Sequence, residues 1–225
     1  MDLYDVMRTT FACRDFTDDD VPDEVLYRIL DGARFAPSGG NRQGGKVIVV
    51  RDPETKKRLG KLCIPAIRIA SEQLKAGETY WQAVYPSAVD TEAAARDESI
   101  KNFIPMFDHL DEVPVVLLIA VDLTVVASMD KDLDRVGVVS GGSIYPLVWS
   151  ILLGARNEGY GGVLTTLIAT AEPEVKELMG LGPEMAVAAM LPIGKPVKQL
   201  TKLRRNAVEE FVVRERADGE PFSLG

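Results

Sequence analysis

The sequence predicts an α+β domain, layered, with helices on both faces of one sheet, and three observations carry that prediction. Val113-Pro114-Val115-Val116-Leu117-Leu118-Ile119-Ala120-Val121 is an apolar run without alternation, the pattern of a central strand covered on both sides. From Ile144 to about Asn157 the chain is apolar around nearly the whole of a helix, through Tyr145, Leu147, Val148, Trp149, Ile151, Leu152 and Leu153. Such a helix must be buried on every side, and a chain of this size can do so by placing part of it in a subunit interface. Helices and strands intermix without a regular βαβ alternation, which sets the class as α+β.

The 225 residues, 46% hydrophobic and 27% charged, suffice for one full core. No Gly/Ser/Pro-rich linker, internal repeat or low-complexity segment divides them, so a single domain over 1–225 is expected. No apolar run approaches the roughly 20 residues that span a bilayer, and Met1-Asp2-Leu3 does not open as a signal peptide. The net charge of −8 argues against nucleic acid or an anionic membrane as partner. A small anionic ligand stays possible, because a few arginines in one cleft suffice locally. Cys13 and Cys63 offer neither a disulfide framework nor a CxxC spacing, and a reducing cytoplasm fits best. The single histidine, His109, precludes a His-based metal site and reads as a surface residue.

In chain order, Asp2 caps a first short helix with Leu3, Val6 and Met7 on one face. Thr10 to Phe16 is a connector. Asp18-Asp19-Asp20 reads as helix-start chemistry and solvated surface rather than a metal site. Pro22 suits the first turn of a second helix, with Asp23 and Glu24 at its positive end and Val25, Leu26, Ile29, Leu30 and Ala33 at helical spacing. Pro37 ends that helix before Ala36-Pro37-Ser38-Gly39-Gly40-Asn41-Arg42-Gln43. This loop is either a tight helix-to-strand turn or a place where backbone lies against a ligand. Phosphate-cradling glycine loops run from strand into helix, so this one, running the other way, is neither a P-loop nor a dinucleotide fingerprint. A ligand here would present a flat polar group to the amides.

A strand follows over 46–51. Asp52-Pro53-Glu54 opens a helix through Leu59 and Leu62, broken or kinked at Pro65 and resuming from Ile67 to Leu74. Residues 76–100 show no strong period, and with 102–110 they read as a lid-like insertion over about 76–110. Within it, Asn102 to Leu110 reads as a short helix around Phe103, Ile104, Met106 and Phe107. After the two apolar elements already described, Gly159 closes the second. Gly161 to Ile168 reads as loop then strand, Pro173–Met179 as a helix ended by Gly180 and Gly182, and Met185–Ile193 as a buried strand. From Gly194 the chain turns basic, at Lys195, Lys198, Lys202, Arg204 and Arg205, which reads as a solvated run or an anion site. Val208, Phe211, Val212 and Val213 are too apolar for a free tail, so 195–225 reads as an arm packed on another subunit.

Four separated pieces agree with one family. They are Arg14-Asp15-Phe16 with the helix to Ala33-Arg34-Phe35; Ala36 to Gln43; Asn157-Glu158-Gly159-Tyr160-Gly161-Gly162 with Thr165-Thr166; and Leu191-Pro192-Ile193-Gly194-Lys195-Pro196 with Lys202-Leu203-Arg204-Arg205. By these the chain resembles the FMN-dependent nitroreductase family, over most of its length except 76–135. The resemblance implies a three-layer α/β/α sandwich with a mainly antiparallel central sheet and a C-terminal arm. It implies a homodimer with FMN at the interface. NADH or NADPH would reduce the flavin in alternation with a small acceptor such as a nitroaromatic or quinone.

The resemblance also assigns residues. Thr10 and Arg14 fall on the N-terminal phosphate motif, and Lys202 and Arg204, with Arg205 as near alternative, bring cations from the tail. Pro37, Ser38, Gly39, Gly40 and Asn41 lie along the ring or ribityl chain. Leu164, Thr165 and Thr166 lie near the ring, with one backbone N–H on its reactive nitrogen. From the residues alone, Thr165 and Thr166 are as readily plain strand residues. Tyr80, Trp81, Tyr85, Phe103 and Phe107 are either a cap over a flat acceptor or a local hydrophobic cluster. The chain departs from the family in two places. Where the phosphate motif commonly starts Arg-Arg-Ser or Arg-His-Ser, Thr10-Phe11-Ala12 stands, one cation short, and Arg8 is the nearest substitute. Gly44-Gly45 replaces Pro-Trp after Gln43. Rival readings are other flavin chemistry on the same fold (reductive dehalogenation, enone reduction, flavin breakdown), an FMN-binding protein without turnover, and a structural dimer.

Overall fold

A computed structural model describes residues 1–224. Among these residues, six α-helices and four strands follow in the order α1 (Leu3–Thr9), α2 (Asp23–Ala33), β1 (Gly45–Val50), α3 (Pro53–Lys75), α4 (Thr91–Arg96), β2 (Val115–Asp122), α5 (Tyr145–Asn157), β3 (Gly161–Gly162), α6 (Glu172–Met179) and β4 (Met185–Gly194). The strands form one sheet, ordered β1-β2-β4-β3, with every neighbouring pair antiparallel.

The unbroken apolar run works as expected, because β2 sits inside the sheet and feeds two cores. Val115, Leu117, Ile119 and Val121 meet Leu26, Ile29 and Ala33 of α2 and Val148, Ile151, Leu152 and Ala155 of α5. Val116 and Leu118 face the other way, onto Leu59, Cys63 and Ile67 of α3 and Val175 of α6. Each such side chain contributes about 1.5–3 kcal/mol by leaving water, so this strand and the helices it joins form the centre of the fold. The result is a three-layer α/β/α sandwich around an antiparallel sheet, as expected. No helix among the described residues is long and apolar enough to cross a membrane.

Several helix ends follow the local chemistry read from sequence. Asp2 accepts from the Tyr4 amide at 2.9 Å, and Asp52 accepts from the Thr55 amide at 2.8 Å. Gly180 closes α6 at φ +65°. Other expectations need correction. Pro65 does not break α3, which runs through 23 residues; Pro65 and Lys61, whose carbonyl loses its i+4 donor, are both exposed, so water can take the donor's place. Asp90 caps a short helix, α4, within the stretch that showed no period. Residues 102–110 are not a helix; Pro105–Phe107 and Leu110–Glu112 are two single 3₁₀ turns. The strand expected toward Ile168 lies instead at Gly161–Gly162, with a single bridge at Thr165 and a 3₁₀ turn over Leu167–Ala171. On α1 only Val6 is buried, while Leu3 and Met7 face outward. The all-round apolar α5 needs no such correction: its expected site partly in a subunit interface leaves room for Tyr145 at 40% and Trp149 at 44% exposed within one chain.

Candidate functional site

The connector between α1 and α2 runs along the β3 edge of the sheet. Ala12 bridges Gly162 in parallel, the Cys13 amide donates to the Gly162 carbonyl at 3.0 Å, and Phe16 bridges Pro196. Gly162 is required by close approach: a Cβ there would stand 2.7 Å from the Pro192 carbonyl oxygen. The tail is then drawn to the end of α1. Gln199 Nε2 donates to the Thr9 carbonyl at 3.0 Å, and Arg156 Nε on α5 donates to Thr9 Oγ1 at 2.9 Å. Residues almost two hundred positions apart thereby wall one cleft.

That cleft, about 1180 Å³, is lined by Arg8 and Thr10 from the end of α1, by Lys202, Arg204 and Arg205 from the tail, and by Trp149. No Asp or Glu lines it, in a chain whose net charge is −8. Thr10 is buried, its hydroxyl donating to the Val6 carbonyl at 2.8 Å. Arg14 is not in this cleft. It lines another, of about 690 Å³, with Phe16, Tyr80, Phe103, His109 and Glu112.

The glycine-rich loop folds as a 3₁₀ turn over Gly39–Asn41, in which Gly40 takes φ +61°. Asn41 and Gln43 also hold positive φ, at 53° and 52°. Strain of this kind in non-glycine residues persists only where surroundings enforce it, and Ser38 and Ser143 do so. The Gly39 amide donates to Ser143 Oγ at 3.0 Å, the Gln43 amide to Ser38 Oγ at 3.0 Å, and the Asn41 amide to the Ser38 carbonyl at 2.8 Å. Two amides expected to be on offer to a ligand, those of Gly39 and Asn41, are thus engaged within the chain. Neither cleft is lined by residues 36–43.

Around Thr165 the backbone is more available. Thr165 spends both its N–H and its C=O on Met190, at 3.0 and 2.9 Å. Extended backbone alternates the direction of its amides, and those of Leu164 and Thr166 have no partner among the described residues. This segment is therefore a sheet margin with unspent donors.

The five aromatic candidates separate. Tyr80 and Phe103 line the Arg14 cleft. Phe107 is buried in the lower core beneath α3 and has no face for a ligand. Trp81 is tied to α3, its amide donating to Gln73 Oε1 and its indole to the Ala66 carbonyl at 3.3 Å. Tyr85 is 75% exposed. His109 is at the surface, 3.6 Å from Glu112. The cysteines are buried; loss of hydration raises the Cys13 thiol pKa and pushes that of Cys63 up to about 12, so neither is a ready nucleophile. The acidic run is tied down by cations, with Asp19 on Lys195 at 2.9 Å and Asp20 on Arg51 at 3.1 Å. No group of three or more His, Cys, Asp or Glu among the described residues is placed to hold a metal.

Two supports carried no sequence signal. Ser143 clamps the loop from over a hundred residues away. Asp130 is buried and pins its own long loop, accepting from the Val138 amide at 2.7 Å and from Arg135 at 2.9 Å.

Over residues 7–195 the chain matches the Nitroreductase family, and it belongs to that family. Among characterised relatives, iodotyrosine deiodinase of Hydra vulgaris is 25% identical over 216 residues, covering 95% of this chain and 72% of that protein. Iodotyrosine deiodinase of Thermotoga neapolitana is 25% identical over 206 residues, covering 92% and 95%. Among solved structures, oxidized iodotyrosine deiodinase bound to FMN and 3-iodo-L-tyrosine superposes with a TM-score of 0.68 at 23% identity, covering 96% of this chain and 99% of that one.

Proposed function

We propose that the chain binds FMN and acts as an oxidoreductase, moving electrons from NADH or NADPH to a small electrophilic acceptor such as a nitroaromatic or quinone. The observation that supports this most is the acid-free basic cleft where the end of α1 meets the tail. When bound, FMN supplies the acceptance and donation of hydride. The chain's part is to hold and shape. Lys202 and Arg204, with Arg205 beside them, meet the phosphate, for which a charge near −2 requires two or three cations. The unspent amides of Leu164 and Thr166 fit the role of donors to a flat polar ring edge. No side chain is required to move a proton when hydride arrives. Two chains would complete the site, the exposed Trp149 and Tyr145 of α5 and the apolar arm (Val208, Phe211) being covered by a partner.

A second reading, reductive dehalogenation, is favoured by the named activity of the relatives that span nearly the whole chain. In that reaction hydride equivalents replace a carbon–halogen bond by carbon–hydrogen and release halide. The test is stopped-flow reduction of the FMN-loaded protein by NADH and by NADPH, then reoxidation against nitroaromatics, quinones and halogenated phenols. Fast reoxidation by halophenol with halide release would replace the first reading by the second. Flavin that neither nicotinamide reduces would refute the NAD(P)H reading.

A further inference from the structure

The Arg-Arg-Ser or Arg-His-Ser start of the family's phosphate motif is absent here, and Thr10 stands in its place, uncharged and with its hydroxyl committed to Val6. Two residues earlier, Arg8 occupies the last turn of α1 and lines the cleft that holds Lys202, Arg204 and Arg205. The placement of α1 is well braced: Asp2 caps it, the terminal amine donates to Asn157 Oδ1 at 2.9 Å, and Arg156 and Gln199 grip Thr9. None of the four cleft cations is ion-paired among the described residues, and no Asp or Glu lines the cleft to neutralise them. Four like charges gathered without a counter-charge repel one another, and a bound dianion reverses the sign of that interaction.

Arg14, the motif's surviving arginine, faces a cleft that Asp15 and Glu112 also line, an unsuitable field for a phosphate. From this division we infer that Arg8, and not Arg14, is the N-terminal cation of the phosphate site, displaced by half a helical turn from the motif position lost at Thr10. The inference rests on the reading that the chain binds FMN. Its guanidinium, opposite the tail cations, closes the phosphate between the first helix and the arm.

The test compares FMN with riboflavin, which lacks only the phosphate. Apo-protein is titrated with each by quenching of flavin fluorescence, for the unsubstituted chain and for Arg8→Gln, Arg8→Lys and Arg14→Gln, each checked for an unchanged thermal midpoint. Arg8→Gln should weaken FMN by roughly tenfold to a hundredfold, the effect of one charge-assisted hydrogen bond, and leave riboflavin unchanged. Arg8→Lys should recover part of the loss, and FMN binding by Arg8→Gln should depend less steeply on salt. Equal losses for both flavins, no loss for either, or a phosphate-selective loss in Arg14→Gln would overturn the inference. Unsubstituted chain that binds neither flavin would instead overturn the cofactor reading itself, and Arg8's role with it.

Discussion

Gly162 shows how little room the site's framework has. The connector, β4 and α5 converge on it, and a Cβ would lie 3.1 Å from both Ile193 Cγ1 and Leu152 Cδ2 besides its contact with the Pro192 carbonyl. Gly162→Ala should therefore destabilise the fold by about 1–3 kcal/mol, the usual cost of forcing atoms into a filled core, as read from urea denaturation. Asp130 makes a prediction of a different kind. The Val138 amide foremost, then Arg135 and the Val139 amide, hold its carboxyl below the ordinary value of 3.8. A depressed folded-state pKa contributes stability that is present above the unfolded value and lost as pH falls through the folded one. Denaturation curves should thus show a decline below about pH 4 that is smaller in Asp130→Asn, which should also be less stable at neutral pH. Equal pH dependence in the two proteins would separate Asp130 from acid stability.

Among the elements, α3 offers the cleanest test. Proline costs about 3 kcal/mol relative to alanine inside a helix, but also stiffens the unfolded chain by about 0.4–1 kcal/mol. With Pro65 exposed, its replacement has no packing to lose, so Pro65→Ala should stabilise the protein by about 2–2.6 kcal/mol in thermal or urea unfolding. The same helix shows what sequence could convey. Its Asp-Pro-Glu start and its apolar spacing are local signals, and they were legible. Its continuity past Pro65 depended on which side of the helix faced water, a tertiary fact. β2, α2 and the αL end of α6 were legible for the same local reason. The 3₁₀ turns of 105–112 and the early strand at Gly161–Gly162 were not, because their surroundings impose those conformations from outside: α3 packs on the turns, and the connector and β4 flank the strand. The cleft is an intermediate case: its tail cations stood out as a run, while Arg8's arrival opposite them required α1 to be docked and held at Thr9.

At the scale of the whole molecule, two of the exposed apolar surfaces of one chain lie beside the basic cleft. They are the outer side of α5, at Tyr145 and Trp149, and the arm, where Val208 is 48%, Phe211 69% and Phe222 43% exposed. This predicts a dimer in sedimentation equilibrium, and Trp149→Glu, which would place a charge in the apolar contact, should shift it toward monomer. Four cations without an ion pair among the described residues, Arg8, Lys202, Arg204 and Arg205, meet where the first helix and the arm converge, in a cleft that no Asp or Glu lines. A flavin in that cleft is the central claim, and electron entry from a nicotinamide is its consequence. The most direct test is the absorption spectrum of purified protein, reconstituted with FMN and freed of excess, before and after anaerobic NADPH and then NADH. Flavin bands should stay with the protein and bleach on addition of at least one donor. Protein that retains no flavin band after reconstitution, or whose bands persist in both donors, would contradict it.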